Sequence, residues 1–575
     1  MKKPTILITT LCLAVASACS DKFLDVQPKA ALAVTTLQNK TGVNSLLIGA
    51  YALLDGWATP EGAYRSYQAG ADNWVYGSVA SDDAYKGTNA GDQPPISLIE
   101  QGLIQSDNIY FRGKWRGMYD GIARTNDVLQ TLAVVKDASE AEQAQITAEA
   151  RFLRGHFHFE LKKMFNMVPY IDEKIYNPND LESTKLPNNE DIWPKIVADL
   201  KAAYDVLPLK QTQVGRPTKW AAAATLAKAY LFQKKYAEAK TLLEAIVASG
   251  QYQLMPNYHD NFRAVTNNNA ESIFEVQYSV NDGASGGENG NAGSTLNYPY
   301  GGGGVTTCCG FFQPSQNLVN AFKTDATGLP LLDTFNASDV TSDQGIESDK
   351  AFTPYAGPVD PRLDWTVGRR GVQFLDWGVH AGKSYVRDQA YGGPYSPKKH
   401  VMYRSDVGTN TFAGNPRLNA NNYRMIRYDH VLLWLAEIEV EIGDLEKARA
   451  YVNQVRKRAA NPDGFVKNPD GKAAANYVIS EYTAAWSSKE VARKAVQFEQ
   501  RLEFAMEGHR RFDLVRWGIA APTLNAYYAA EGKKRSYLNG VQFVEKKHEY
   551  FPIPIQEILN SKKGSTITLT QNPGY

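Results

Sequence analysis

Three glutamates spaced four apart, Glu499, Glu503 and Glu507, put their carboxylates on one face of a helix. Two carboxylates about 5 to 9.5 Å apart across a cleft would hydrolyse a glycosidic bond. Arg501 is interleaved with them, and Arg510, Arg511 and Arg516 follow. That pattern predicts an ion-pair network tying the helix to its neighbours, and no catalytic residue is assigned. His156 and Glu160 share a helical face and offer half of a metal site. No further ligands stand at matching spacing, so a satisfied histidine is expected, with no metal and no cofactor. Asp82 and Asp83, in Gly77-Ser78-Val79-Ala80-Ser81-Asp82-Asp83, suit a helix cap or turn, with hydrogen bonding to sugar hydroxyls also open to them. Cys308 and Cys309 are adjacent, which excludes a zinc site and the spaced pair of redox catalysis. They either close as a vicinal disulfide in a Gly-rich loop or stay as two packed thiols.

Aromatic rings are the other abundant chemistry. The chain has 32 Tyr, 22 Phe and 10 Trp, 11% aromatic, and Tyr is amphipathic enough for many rings to face water or ligand. Tyr298 and Tyr300 border a glycine run, and Trp365, Trp377, Tyr385, Tyr391 and Tyr395 stud the sequence beyond it.

Helices must position these groups. Apolar residues recur at helical spacing over 34–57, 108–135 and 141–165. From Thr218 to Ser249, Ala223, Leu226, Ala227 and Tyr230 share one face, answered by Ala239, Leu243 and Ile246 from a second helix. Small residues at the crossing, large ones around it, are what a tetratricopeptide helix pair requires. A second copy runs from Leu432 to Val455, through Leu435, Ala436, Ala448 and Val452, with its turn at Gly443-Asp444. Copies so distant in sequence are not a tandem solenoid, so each is expected to pack with other helices in one body. Between them, residues 281–423 are rich in Gly, turn residues and aromatics with little helical period, which reads as a loop-rich, surface-forming insertion. A phosphate cradle is rejected there, because no Gly-Lys-Ser/Thr follows the glycines.

The chain's 575 residues correspond to about four units or one large composite body. Lys and Arg number 62 against 61 Asp and Glu, so no basic surplus exists to neutralise phosphates, and nucleic acid is excluded as a partner. Residues 1–18 form a signal segment: a basic start, then an apolar stretch from Thr5 to Ala18 too short for a bilayer. Small residues Val15-Ala16-Ser17-Ala18 precede Cys19, the pattern of a bacterial lipoprotein cleavage site, with the Cys19 thiol becoming lipidated. No later stretch is long and apolar enough to span a bilayer, so attachment depends on lipid.

The sequence Glu499-Gln500-Arg501-Leu502-Glu503-Phe504-Ala505-Met506-Glu507-Gly508-His509-Arg510-Arg511-Phe512-Asp513-Leu514-Val515-Arg516-Trp517-Gly518 resembles the signature of the RagB/SusD family of outer-membrane nutrient-binding lipoproteins. The terminal Leu569-Thr570-Gln571-Asn572-Pro573-Gly574-Tyr575, the mature start Phe23-Leu24-Asp25 and the stretch from Ala148 to Arg154 are similar to other segments of that family. His156-Phe157-His158 departs from it, standing where members carry bulky aromatics, and so does Ala16 in place of a Leu. The resemblance implies a mostly α, SusD-like helical body with tetratricopeptide-type pairs. It divides the chain into residues 19–270 and 271–575, with the insertion in the second part.

It also implies a function: capture of oligosaccharides outside the cell and delivery to a SusC-like, TonB-dependent outer-membrane transporter. The acidic Ser20-Asp21-Lys22 and Asp25 after the lipid site resemble the tether of Bacteroidetes-type lipoproteins that face the exterior. Family sugar sites lie on loops, partly near the first helices, which makes Trp74, Tyr76 and Tyr85 stacking candidates, with Tyr298, Tyr300 and Trp377 from the insertion and Asp82 and Asp83 for hydroxyls. Two competing functions are an exported glycoside hydrolase and a structural or adhesive surface lipoprotein.

Overall fold

The structure is a computed structural model that describes residues 34–57, 65–301, 305 and 308–575; the signal segment and Cys19 lie outside these residues. Most of its helices start where the sequence supplies a cap. Helix α1 (Lys40–Ala52) opens on Asn39 and α2 (Ile109–Leu132) on Asn108, each with its side chain accepting a first-turn amide. Helix α3 (Glu140–Phe165) opens on a Ser139–Glu142 capping box, and α4 (Trp193–Val206) carries Pro194 in its first turn. Thr218 caps α5 (Lys219–Phe232), which a short turn joins to α6 (Tyr236–Ala248).

After the insertion come α7 (Tyr428–Ile442) and α8 (Leu445–Ala459), joined at Gly443-Asp444. They are followed by α9 (Lys489–Glu503), α10 (Arg510–Trp517) and α11 (Ala520–Glu531).

Each helix from α1 to α8 packs on the next, and α9 lies against α7 and α8. Ala221, Ala222, Ala223, Ala224 and Ala227 of α5 are fully buried, and short side chains there let α4 and α6 approach closely. The fully buried Ala239, Leu243, Ile246, Leu432, Leu435, Ala436, Ala448, Val452 and Val455 stand where the helical spacing places them. The two tetratricopeptide-type pairs are neighbours, however, because α6 packs directly on α7. As expected, each pair packs with other helices in one body, and in space the two pairs adjoin: the chain leaves the stack after α6 and rejoins it at α7.

Four strands control that excursion: β1 (Ala84–Gly87), β2 (Ser272–Val276), β3 (Phe311–Pro314) and β4 (Tyr423–Arg427). Strands β2 and β4 pair antiparallel, so the insertion's entry and exit lie side by side. Strands β1 and β3 also pair antiparallel, Tyr85 opposite Gln313 and Gly87 opposite Phe311, which fixes the insertion to the N-terminal part.

The insertion is loop-rich as expected, but much of it is interior. Phe311, Phe312, Leu318, Val319, Phe322, Val359 and Leu363 join the main core, and Tyr298, Val305, Phe374, Tyr385, Val401 and Met402 form a smaller one. Turn-rich sequence signals irregular backbone, not exposure: Tyr298, Tyr385 and Tyr395 fill the interior, while Tyr300, Trp365, Trp377 and Tyr391 are partly exposed.

One close approach explains two glycines. A π-helical turn, Trp74–Val79, lies against the segment between α9 and α10. A Cβ on Gly77 would stand 1.7 Å from the Gly508 carbonyl oxygen, and one on Gly508, whose φ is +76°, would stand 1.9 Å from the Asp72 oxygen.

Candidate functional site

The signature glutamates are engaged by cations. Arg362 and Arg456 hold Glu499 at 2.7 and 2.8 Å, and Arg362 also reaches Glu503 at 2.8 Å. Arg458 pairs with Glu503, while Lys399 and Arg427 bind Glu507 at 2.7 and 2.8 Å. Burial pushes the Glu503 and Glu507 carboxyls upward, but the surrounding guanidinium and ammonium groups outweigh it and hold both below the usual carboxylate range. The network predicted from sequence is therefore present.

Arg501 contacts Asp82 at 3.0 Å and Asp83 at 3.2 Å, and Arg510 forks onto Asp82 at 2.8 and 3.0 Å. Asp82 lies in the turn that leads into β1, as one expectation had it, but neither carboxylate is free to meet hydroxyls: both are buried and neutralised by arginines from the other end of the chain. Glu160 is occupied in the same way, by Lys163 at 2.6 Å and Lys114 at 3.6 Å, and His156 beside it is buried and pushed down to about 4 by desolvation. His430, Glu507 and His509 bring possible ligand atoms within 4.8 Å of one another. Glu507 is already shared by Lys399 and Arg427 there, so a dication would enter among cations.

The aromatic candidates divide by burial. Trp74, Tyr76, Tyr85 and Tyr298 are at most 2% exposed, and as placed none offers a ring face to a sugar. Tyr76 donates to the Gln68 and Tyr110 carbonyl oxygens, and Tyr85 donates to Glu531 at 2.5 Å. Trp74 packs on Phe312 with centroids 5.4 Å apart, and the Tyr298 hydroxyl accepts from Asn419. The sequence marks these rings as aromatic beside Gly and Asn, which describes a tight turn in a core as well as a binding loop. Cys308 and Cys309 are joined as a disulfide, and the Arg417 guanidinium lies 3.0 Å from the Cys309 sulfur.

Tyr300 and Trp377 are half-buried. Trp377 donates its indole N–H to the Met402 carbonyl at 3.0 Å. Tyr300 stands at a corner that the β1–β3 pair creates. Thr88, just past β1, donates its amide to Gly310, just before β3, and the Tyr300 amide bonds the Tyr385 carbonyl. Three loops, 88–93, 299–301 and 383–391, therefore meet. Arg387, from the third, lies 5.2 Å over the Tyr300 ring and donates to Thr88 Oγ1 at 3.0 Å and to the Asp92 carboxylate at 2.7 Å. Asn89 and Gln93 flank Asp92, and the Gln93 side-chain oxygen accepts from Tyr110.

The corner combines an aromatic ring with partly exposed guanidinium, amide and carboxylate groups, the equipment for stacking on a pyranose while bonding its hydroxyls. Of the ligand-binding candidates named from sequence, it contains Tyr300 alone, although Tyr385 and Tyr391, noted among the aromatics, lie on its third loop. Arg387, Asp92, Thr88 and Asn89 were missed, because only a strand pair spanning more than two hundred residues brings them together. A Lys-Gly-Thr-Asn stretch, running from the last residues of β1 into the loop, was the one local signal.

Comparison with known proteins agrees with this architecture. The model of the SusD family matches residues 270–575, and a second family model, described as starch-binding associating with outer membrane, matches residues 22–231. SusD-like protein P25 of Formosa agariphila is 23% identical over 94% of this chain and 93% of its own length. The starch-binding protein SusD of Bacteroides thetaiotaomicron is 24% identical over 76% and 74%. Among solved structures, surface glycan-binding protein A of Bacteroides thetaiotaomicron, in complex with laminarihexaose, superposes with a TM-score of 0.63 at 23% identity, covering 93% of this chain and 99% of that one. A SusD superfamily protein of Bacteroides vulgatus gives 0.67 at 23% identity, over 94% and 100%. With a family model accounting for the whole C-terminal half and solved relatives following the fold almost end to end, this chain belongs to the SusD family.

Proposed function

We propose that this protein is a cell-surface lipoprotein, moored through Cys19 to the outer membrane and facing the exterior, that binds oligosaccharides and passes them to a SusC-like, TonB-dependent transporter. The observation that carries the reading is the corner at Tyr300, where three loops set an aromatic ring beside Arg387, Asp92 and Asn89. A laminarin-binding SusD-like protein and a laminarihexaose-bound glycan-binding protein share this fold, which makes β-glucan the first ligand to test.

Capture without cleavage fits the site's chemistry. The signature glutamates are paired with arginine and lysine, so none of that row is the protonated carboxyl that hydrolysis of a glycosidic bond requires. Trp377 stays a candidate second platform through its partial exposure.

The test is native affinity electrophoresis of the mature protein through a panel of polysaccharides, run beside a reducing-sugar assay. Retardation by one glycan class without new reducing ends supports the proposal. New reducing ends make the protein a hydrolase, and no retardation by any glycan favours a structural or adhesive role.

A further inference from the structure

A groove of about 350 Å³ runs along the flank of α2, away from Tyr300, with Trp115, Tyr119 and Ile122 on its floor and Tyr176, Leu186 and Leu569 among its walls. The Trp115 and Tyr119 rings sit 5.0 Å apart, and the Tyr119 hydroxyl is already spent on the Pro169 carbonyl, so the floor is apolar. Its rim carries both signs of charge, Arg116 and Lys185 against Asp120 and Glu557. Leu181 at the mouth is 67% exposed, and Leu559, on the helix that supplies Glu557, is 53% exposed. Exposed leucines bordering an aromatic groove mark a surface that something covers.

We infer that the occupant is this chain's own segment 20–33, with Phe23, Leu24 and Val26 seated in the groove. The first argument is position. Asn39 caps α1, and the Lys40 amide bonds the Asp137 carboxylate at 2.8 Å, so the chain enters the body beside the C-terminal end of α2. From Leu132 back to Tyr119 and Trp115, the helix covers about 20 to 26 Å at ~1.5 Å per residue. Phe23 to Val26 precede Val34 by 11 to 8 residues, which an extended chain converts into about 26 to 36 Å at ~3.3 Å per residue. The segment is therefore long enough for these apolar side chains to reach the groove.

The second argument is chemistry. Phe23, Leu24 and Val26 match an apolar floor, while Lys22 and Asp25 bring one charge of each sign to a rim that carries both signs. The third is family extent. The N-terminal family model begins at residue 22, so the sequence pattern it matches takes in the segment.

Docking changes what the tether does. A free tether of 14 residues reaches about 46 Å, whereas a docked one leaves only Ser20 to Lys22, about 10 Å, between the lipid and the body. The α2 flank would then be held against the membrane. That consequence rests on the lipid-anchor reading of Cys19; the docking does not.

Hydroxyl-radical footprinting of the soluble mature chain carrying C19S separates the two. Replacing Phe23→Ser and Leu24→Ser together should raise the oxidation rates of Trp115, Tyr119 and Tyr176 by about threefold or more, with Trp434 unchanged as the internal standard. A peptide of residues 20–33, added in excess, should restore protection. Both substitutions lie before the first described residue, and an unchanged circular dichroism spectrum verifies the fold. Equal labelling in both chains overturns the inference. So does protection that appears only with rising protein concentration, which assigns the groove to a second copy, or only with laminarihexaose, which makes it a saccharide site. Palmitate labelling of the native Cys19 is a separate measurement, so docking and anchoring can fail independently.

Discussion

Arg501 and Asp82, 419 residues apart in sequence, meet at 3.0 Å with both side chains 2% exposed. The same guanidinium reaches Asp83 at 3.2 Å and the Asn317 side chain at 2.8 Å, so one residue joins the N-terminal part, the insertion and α9. Removing it by Arg501→Ala leaves two acids buried with Arg510 alone to balance them. The expected loss is about 3 to 5 kcal/mol of folding stability, read by denaturant titration. A loss under about 1 kcal/mol would show that the contact is dispensable.

The close approach at Gly77 and Gly508 leaves no room for a methyl group on either. Gly508→Ala adds left-handed backbone strain to the clash, so each substitution should cost about 3 kcal/mol or more and sharply lower soluble yield. Gly540 also has positive φ but open space around it, and Gly540→Ala should cost only about 1 kcal/mol. Equal melting temperatures for the Gly508 and Gly540 variants would contradict the packing argument.

All eight histidines are held below their ordinary value by burial: His156, His400 and His548 to about 4, His158 and His380 to about 3, and His259, His430 and His509 well below. The unfolded chain protonates these rings near pH 6.5 and the folded chain does not. Their contribution to stability is therefore full above about pH 6.5 and is lost as pH falls from there toward 4. Buried Asp55 and Glu100, raised to about 7 by desolvation, act with the opposite sign over part of that range. The melting curve mixes the two effects, so imidazole NMR resonances between pH 8 and 5 are the direct measurement. They should stay unprotonated; several midpoints near 6.5 would refute the burial argument.

Binding should fail selectively. Tyr300→Ala and Arg387→Ala should each weaken retardation by the cognate glycan by about three- to tenfold, from a stacking or charge-assisted contact of ~1 kcal/mol. Tyr298→Phe, which alters only a buried hydroxyl, should leave binding unchanged. If the Tyr298 variant loses affinity and the Tyr300 variant does not, the site is misplaced.

The helical frame was legible in the sequence because periodicity and caps are local: the alanine face of α5, the Gly443-Asp444 turn and the Ser139–Glu142 box each act within one or two turns of chain. The arginine and glutamate spacing of α9 likewise announced its network. The site was hardly legible. Trp74 and Tyr300 both stand near Gly and Asn, yet β1–β3 pairing buries the first and leaves the second at a corner. Whether a ring meets water depends on a partner strand far away in sequence, and Arg387 had no reason to be noticed until that strand was placed.

Since Arg501 and Arg510 neutralise Asp82 and Asp83, the middle of the molecule cannot close until the last eighth of the chain has arrived. The N-terminal part therefore carries these acids without their arginine partners until the final residues are available. Truncation even a short way upstream of residue 501 would strand those acids for good, so degradation, not partial activity, is the expected fate of a prematurely stopped product.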